Sequence, residues 1–157
     1  MTFRLLRGIR KVKNCYLMQF DGNAKPNPGN ISGGIVIFSP EPREVLFELG
    51  IYEKGKKNNN ASECIALIHG LEHALEHDIY DLIVEGDSQF ALNMLSNNVK
   101  VKEDYKAYSE KIKVYSEIFN TLGIEHIPRK DNEVADQLSN EVRVLKTDIC
   151  REFIEHS

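Results

Sequence analysis

The chain has 157 residues, 41% of them hydrophobic and 28% charged, with a formal net charge of −4. That length suits one domain with a sizeable buried core, and the composition excludes a disordered or low-complexity chain. No apolar run approaches the roughly 20 residues of a membrane span, no leader pattern marks secretion, and an acidic balance is not the usual footprint of a nucleic-acid protein.

The charge is unevenly spread. Residues 1–20 hold Arg4, Arg7, Arg10, Lys11 and Lys13 and no acid, so this stretch carries +5 and the remainder −9. Residues 1–14 are read as a basic lead-in, solvated and partly disordered or else a phosphate-binding patch, and residues 15–157 as a single domain. Residues 15–20 form a nearly continuous apolar run and predict a strand ending at Asp21. The stretch GNAKPNPGN (22–30) predicts a tight loop. A second strand is expected over 31–38, where Gly33 and Gly34 permit close approach to the backbone. Val45, Phe47, Leu49 and Ile51 alternate as in a third strand over 44–52.

Residues 60–77 then place Cys64, Leu67, Ile68, Leu71, Ala74 and Leu75 at helical spacing. Leu82, Ile83 and Val84 predict a short buried strand running into Glu85, Gly86 and Asp87, followed by a helix over 88–96 and a loop over 97–102. A helix is expected over 104–121, stopped by Gly123. A last strand covers 124–127, and a final helix runs from about Asn132 towards the C-terminus. This order, βββαβααβα, predicts an α/β domain with helices on a five-stranded mixed sheet whose first three strands are antiparallel. Cys15, Cys64 and Cys150 lack metal-ligand spacing and are read as free thiols of a reducing, cytoplasmic compartment. His69, His73 and His77 fall on the polar face of the first long helix and are read as solvated.

Four acids stand at strand ends and helix starts: Asp21 after the first strand, Glu63 in the first turn of the long helix, Asp87 after the fourth strand and Asp136 early in the last helix. Such positions converge in α/β proteins. Each has an ordinary alternative: a turn residue for Asp21, a dipole partner for Glu63, a helix cap for Asp87 and a solvated helix acid for Asp136. Carboxylates and water are the oxygen ligands that Mg²⁺ prefers, and a pair of such ions serves phosphodiester hydrolysis.

The segments FDGNAKPNPGNISGGIVIF (20–38), NNNASE (58–63), VEGDSQ (84–89) and NEVADQL (132–138) occur in this order, and together they resemble type 1 ribonuclease H over residues 15–145. The resemblance implies a magnesium-dependent endonuclease that cuts the RNA strand of an RNA–DNA hybrid and leaves 5′-phosphate and 3′-hydroxyl ends. It implies that Asp21, Glu63, Asp87 and Asp136 are catalytic and bind two Mg²⁺ ions, with Mn²⁺ as a substitute. It further implies substrate contacts through Gly22, Asn23, Asn27, Asn59, Asn60, Ser88 and Gln89, and a DNA-strand phosphate contact at Lys56. Asn and Gln both donate and accept hydrogen bonds, as reading a 2′-hydroxyl requires.

Two features depart from well-studied bacterial members. The loop that carries an assisting histidine before the last helix looks truncated, so His126 is expected inside the last strand, with Arg129 or Lys130 nearer the site. The basic handle helix is absent, leaving Lys100 and Lys102. A monomer without a membrane or an obligate protein partner is expected. Three other readings remain: cleavage of double-stranded RNA as well or instead, a catalytically silent hybrid-binding module, and another enzyme of this fold such as a transposase.

Overall fold

A computed structural model of the chain describes residues 3–96 and 100–153. Its strands are β1 (Phe3–Arg7), β2 (Tyr16–Ala24), β3 (Gly29–Phe38), β4 (Val45–Lys57), β5 (Asp81–Gly86), β6 (Thr121–His126) and β7 (Ile149–Glu152). Its helices are α1 (Asn59–Glu76), α2 (Gln89–Asn93), α3 (Lys106–Ser116) and α4 (Glu133–Leu145). The strands form one sheet in the order β1-β6-β5-β2-β3-β4-β7. It is mixed: β2 pairs antiparallel with β3 and parallel with β5, and β5 pairs parallel with β6.

The expectation of five strands in the order βββαβααβα is therefore corrected to seven strands among the described residues, with an added strand before the first expected one and another after the last helix. Residues 3–7, read as part of a lead-in, pair antiparallel with β6. Residues 149–152 pair with β4, after Lys146 ends α4 in a left-handed conformation at φ 56°. Both added strands are short and lie at the edges, where burial is one-sided and leaves little periodicity to read. The α/β class with helices on a mixed sheet stands.

Adjacent residues of one strand reveal how the layers are placed. A Cβ added at Gly33 would meet Ile51 and Ala66 of α1, whereas one at Gly34 would meet Ala135, Leu138 and Ser139 of α4. Successive strand residues point to opposite faces, so α1 and α4 lie on opposite sides of the sheet. Met18, Phe20, Ile35 and Leu67 are fully buried in the core beneath α1. Gly70 lets α1 settle directly onto Met18, whose Sδ would lie 2.5 Å from an added Cβ.

Several expected boundaries move. The first strand does not stop before Asp21 but continues to Ala24, so the expected 22–30 loop shrinks to a turn between β2 and β3. The sheet wins here because Asp21, Gly22 and Asn23 pair with Gly34, Gly33 and Ser32. β4 extends to Lys57, which makes Lys56 a strand residue. The helix expected over 104–121 ends at Ser116, and Gly123 sits inside β6 under the Phe3 ring. The helix expected over 88–96 covers only Gln89–Asn93. Of the loop expected over 97–102, residues 97–99 lie outside the described residues, as do residues 1–2 and 154–157.

His73, expected on a solvated face, is half-buried against Phe47, with ring centroids 4.7 Å apart, and burial lowers its pKa. Among the described residues no helix is long and apolar enough to cross a membrane.

Gly34→Ala should destabilise the fold by about 1–3 kcal/mol through overpacking against α4. The loss is read from chemical denaturation; a stability equal to that of the parent protein would contradict the close packing of β3 and α4.

Candidate active site

The parallel pairing of β2 with β5 sets the site. Phe20 lies opposite Gly86, so the next residues, Asp21 and Asp87, stand side by side. Phe20 faces α1 and Asp21 faces α4, because the strand alternates. Gly22 faces α1, and an added Cβ there would collide with the Ser62 carbonyl and lie 2.6 Å from Glu63 N. This close approach brings Glu63, the fifth residue of α1, to the same point; it lies beyond the first turn, where the sequence placed it. Ligand oxygens of Asp21, Glu63 and Asp87 lie within 4.8 Å of one another. Such a group can hold a metal ion.

Asp136, in the first turn of α4, lies outside that three-residue group but shares a hydrogen bond with Asp21 when one of the two carries a proton. Glu63 Oε2 and Asp136 Oδ1 are buried without a hydrogen-bond partner among the described residues. Buried lone pairs of this kind are costly, and a hard cation is the ligand that suits them. Crowding shows in the acidities. Burial, then the Asp136 carboxyl and the Asp87 charge, pushes Asp21 up to about 7. Burial, then the charges of Asp21 and Asp87, pushes Glu63 up to about 10.

Two residues that the sequence reading did not assign to the site hold it together. Asn132 is 1% exposed. Its Nδ2 donates to the Phe20 carbonyl at 2.8 Å and to Asp87 Oδ1 at 3.2 Å. It thus ties the start of α4 to β2 and to the residue following β5. His126, a β6 residue as expected, places Nε2 3.1 Å from the Asp87 carbonyl oxygen. Arg129 stands 3.7 Å from Asp136 Oδ1 with its side chain 73% exposed. The residue type of Asn132, beside Asp131 in a polar turn, signals only a helix start.

The expected contact residues surround the acids unevenly. Asn59 N donates to Asn27 Oδ1 at 3.2 Å, and Ala24 N donates to Asn59 Oδ1 at 2.8 Å, so both side chains clamp the β2–β3 turn to α1. The cap of α1 is Asn58, which accepts from Ala61 N at 2.8 Å. Asn60 lines a cavity of about 290 Å³ with Phe90, Met94, Lys100, Lys102 and Tyr105. Ser88, not Asp87, caps α2, accepting from Ala91 N at 3.2 Å, and Gln89 is exposed and donates to Asn93 Oδ1 at 2.8 Å. Asn23 is half-buried opposite Ser32. Lys56 is exposed, and its neighbour Lys57 pairs with Gly29 beside the turn.

The sequence pattern of the family described as Reverse transcriptase-like matches residues 19–142. The chain is 32% identical over 123 residues to ribonuclease HI of Halobacterium salinarum, covering 78% of this chain and 61% of that protein. It is 30% identical over 127 residues to a bifunctional protein of Mycobacterium tuberculosis, covering 80% of this chain but 34% of the relative, so it spans about a third of that protein's length. Among solved structures, RNase H1 of Halobacterium salinarum superposes with a TM-score of 0.76 at 31% identity, covering 82% of this chain and 97% of that one. LC11-RNase H1 in complex with an RNA/DNA hybrid gives 0.73 at 32% identity, covering 83% and 99%.

Because folding raises the pKa of Asp21, its stabilising share is full below the unfolded value near 3.8 and is lost as pH rises through about 7. The melting temperature of metal-free protein should fall across that window, and Asp21→Asn should flatten the fall; a melting temperature that climbs with pH across it would contradict the crowding. Asn132→Ala should cost about 1–3 kcal/mol, since the Phe20 carbonyl loses its side-chain donor. Denaturation with Mg²⁺ absent and present reads both that loss and any weakening of cation binding.

Proposed function

The chain belongs to the type 1 ribonuclease H family, and from that premise we propose that it is an endonuclease hydrolysing the RNA strand of RNA–DNA hybrids. The observation that carries the reading is the convergence of Asp21, Glu63 and Asp87, from three separate elements, within 4.8 Å. A fourth acid, Asp136, lies against Asp21. In this reading the four carboxylates hold two divalent cations, Mg²⁺ by preference with Mn²⁺ as a substitute, and the products carry 5′-phosphate and 3′-hydroxyl ends. The cations supply Lewis acidity towards the phosphodiester and acidify water.

The protein's share is placement. Asp21 stands between Asp87 and Asp136 and is the residue suited to serve both cation positions. Asn132 fixes the Asp87 carboxylate through one oxygen and leaves the other free. The burial that makes Asp21 and Glu63 reluctant to ionise alone also strengthens their hold on a cation, because water screens less there. Arg129, exposed beside Asp136, is placed to meet a phosphate entering the site.

Substrate choice falls to the groups around the acids. In this reading Asn23, Asn27, Asn59, Asn60, Ser88 and Gln89, with backbone groups at Gly22, supply contacts to the RNA 2′-hydroxyls in the minor groove of a hybrid, the group that separates RNA from DNA. Lys56, beside the β2–β3 turn, suits a DNA-strand phosphate. LC11-RNase H1 has been crystallised with an RNA/DNA hybrid, which supports the same class of substrate here.

The test is cleavage of labelled RNA–DNA, RNA–RNA and DNA–DNA duplexes with Mg²⁺, Mn²⁺ or chelator. Cutting of the RNA strand in the hybrid alone, lost in chelator, is expected; no cutting of the hybrid under any of these conditions would end the proposal. Asp87→Asn should abolish the Mg²⁺-dependent cutting and raise the melting temperature of the metal-free protein, because one repelling charge is removed.

A further inference from the structure

The sequence concentrates +5 in its first 20 residues, and the fold gives that charge a defined place. β1 is an edge strand of the sheet, paired on one side with β6. The register shift between Leu5 and Arg7 sets Arg4 opposite Ile124 and Arg7 opposite Leu122. Cross-strand partners share a face, and Leu122 and Ile124 are two apart on one strand. The irregularity therefore puts Arg4 and Arg7 on the same face of the sheet, whereas an unbroken strand would have opposed them. Phe3 and Leu5 lie on the other face, with the Phe3 ring over Gly123.

Arg4, Arg7, Arg10, Lys11 and Lys13 are all exposed. The acids around them are few. Asp81 is paired with Arg10 at 3.4 Å, Glu41 is paired with Arg43 at 3.7 Å, and Glu117 lines a shallow cleft beside Arg7. Glu125 stands opposite Phe3 on the far face. Arg4, Lys11 and Lys13 have no ion-pair partner among the described residues. The row also has a direction. Arg4 sits opposite Ile124, two residues before His126, whose ring touches the Asp87 backbone. Past Arg7 the cations leave the edge and turn across the end of the sheet opposite the acids: Arg10 reaches Asp81 at the start of β5, and the Lys13 carbonyl accepts from Glu41 N between β3 and β4.

We propose that this edge is a second phosphate-binding surface, which holds the backbone of a nucleic-acid duplex beyond the segment seated at the acid cluster. The inference rests on the hybrid-cleaving reading and extends it. A protein with −9 outside residues 1–20 repels a polyanion over much of its surface, so a segregated row of cations supplies the attraction that the rest lacks. Three of the five are arginines, whose planar guanidinium meets phosphate oxygens in bidentate fashion. The row makes no demand on base identity, so it raises affinity without adding sequence preference.

The experiment compares the parent protein with a variant carrying Arg4→Gln, Arg7→Gln, Lys11→Gln and Lys13→Gln. Binding to 12- and 30-base-pair RNA–DNA hybrids is followed by fluorescence anisotropy in chelator across a salt series. Each phosphate neutralised by the protein adds a slope of about −0.9 in log affinity against log salt. On the longer duplex the variant's slope should be shallower by about 2 to 4, and its binding at low salt at least about 10-fold weaker. Its Mg²⁺-dependent cleavage of the shorter hybrid at saturating substrate should match that of the parent. An unchanged salt slope on the longer duplex, with cleavage intact, overturns the inference while leaving the hydrolase reading untouched; failure of the parent protein to cut any hybrid strikes the hydrolase reading instead. A Lys11→Gln, Lys13→Gln variant, changed outside β1, gives the same readout if the fourfold variant melts early, its slope shallower by about 1 to 2. Because Ile9 and Val12 are also exposed, vesicles of anionic and of zwitterionic lipid form a separate arm. Loss of anionic-vesicle binding in the variant with the duplex slope unchanged would assign the edge to a membrane surface and overturn the proposal.

Discussion

Mutual repulsion among buried carboxylates is the constraint around which this protein is built. Asp21 is almost wholly buried, and Glu63 has an oxygen with no partner among the described residues. Their ligand atoms share a space less than 5 Å across with Asp87. Charges that close, with little water between them, cannot all ionise without a compensating cation, and the raised pKa values of Asp21 and Glu63 record first their burial and then this crowding. The fold must therefore supply enough packing energy elsewhere to keep the acids together when no cation is bound.

That support comes from three close approaches. Gly22 lets β2 touch the backbone of α1 beside Glu63. Gly34, across from Asp21, lets α4 descend onto β3 beside Asp136. Asn132 bonds β2 and Asp87 with a single amide nitrogen. Each approach brings a different element to one point, and each uses a residue with no side chain or a short polar one. A bulky residue at any of the three would push one acid away from the others and so change the chemistry as well as the stability.

The same molecule separates its charges. Acids converge at one end of the central strands, where a cation is needed. Cations collect on β1 and on the segment that follows it, the surface proposed above to meet a polyanion away from the acid-rich remainder. A net charge of −4 describes neither region. What a nucleic acid meets is set by the local arrangement, and β1 carries its charge in place because it belongs to the sheet.

The elements with two-sided burial were legible in the sequence. Buried apolar runs marked β2 and β5, period-2 alternation marked β4, and helical spacing marked α1. The four acids and their order along the chain were legible too, as was His126 as a strand residue, because only a few residues separate that strand from the next helix. What escaped depends on partners distant in sequence. Asp21 looked like a turn residue because Gly-Asn follows it, yet β3 supplies a ladder that continues the strand through it. β1 and β7 are edge strands whose pairing partners lie far along the chain. His73 looked solvated until Phe47 covered it, and Asn132 looked like an ordinary polar residue ahead of a helix until the Phe20 carbonyl and Asp87 came within reach. Sequence by itself determined which residues could bear charge and which runs would be buried, since both follow from composition and local period. Only the tertiary structure decided which charges meet, because that depends on strand register and on the few positions where backbones touch.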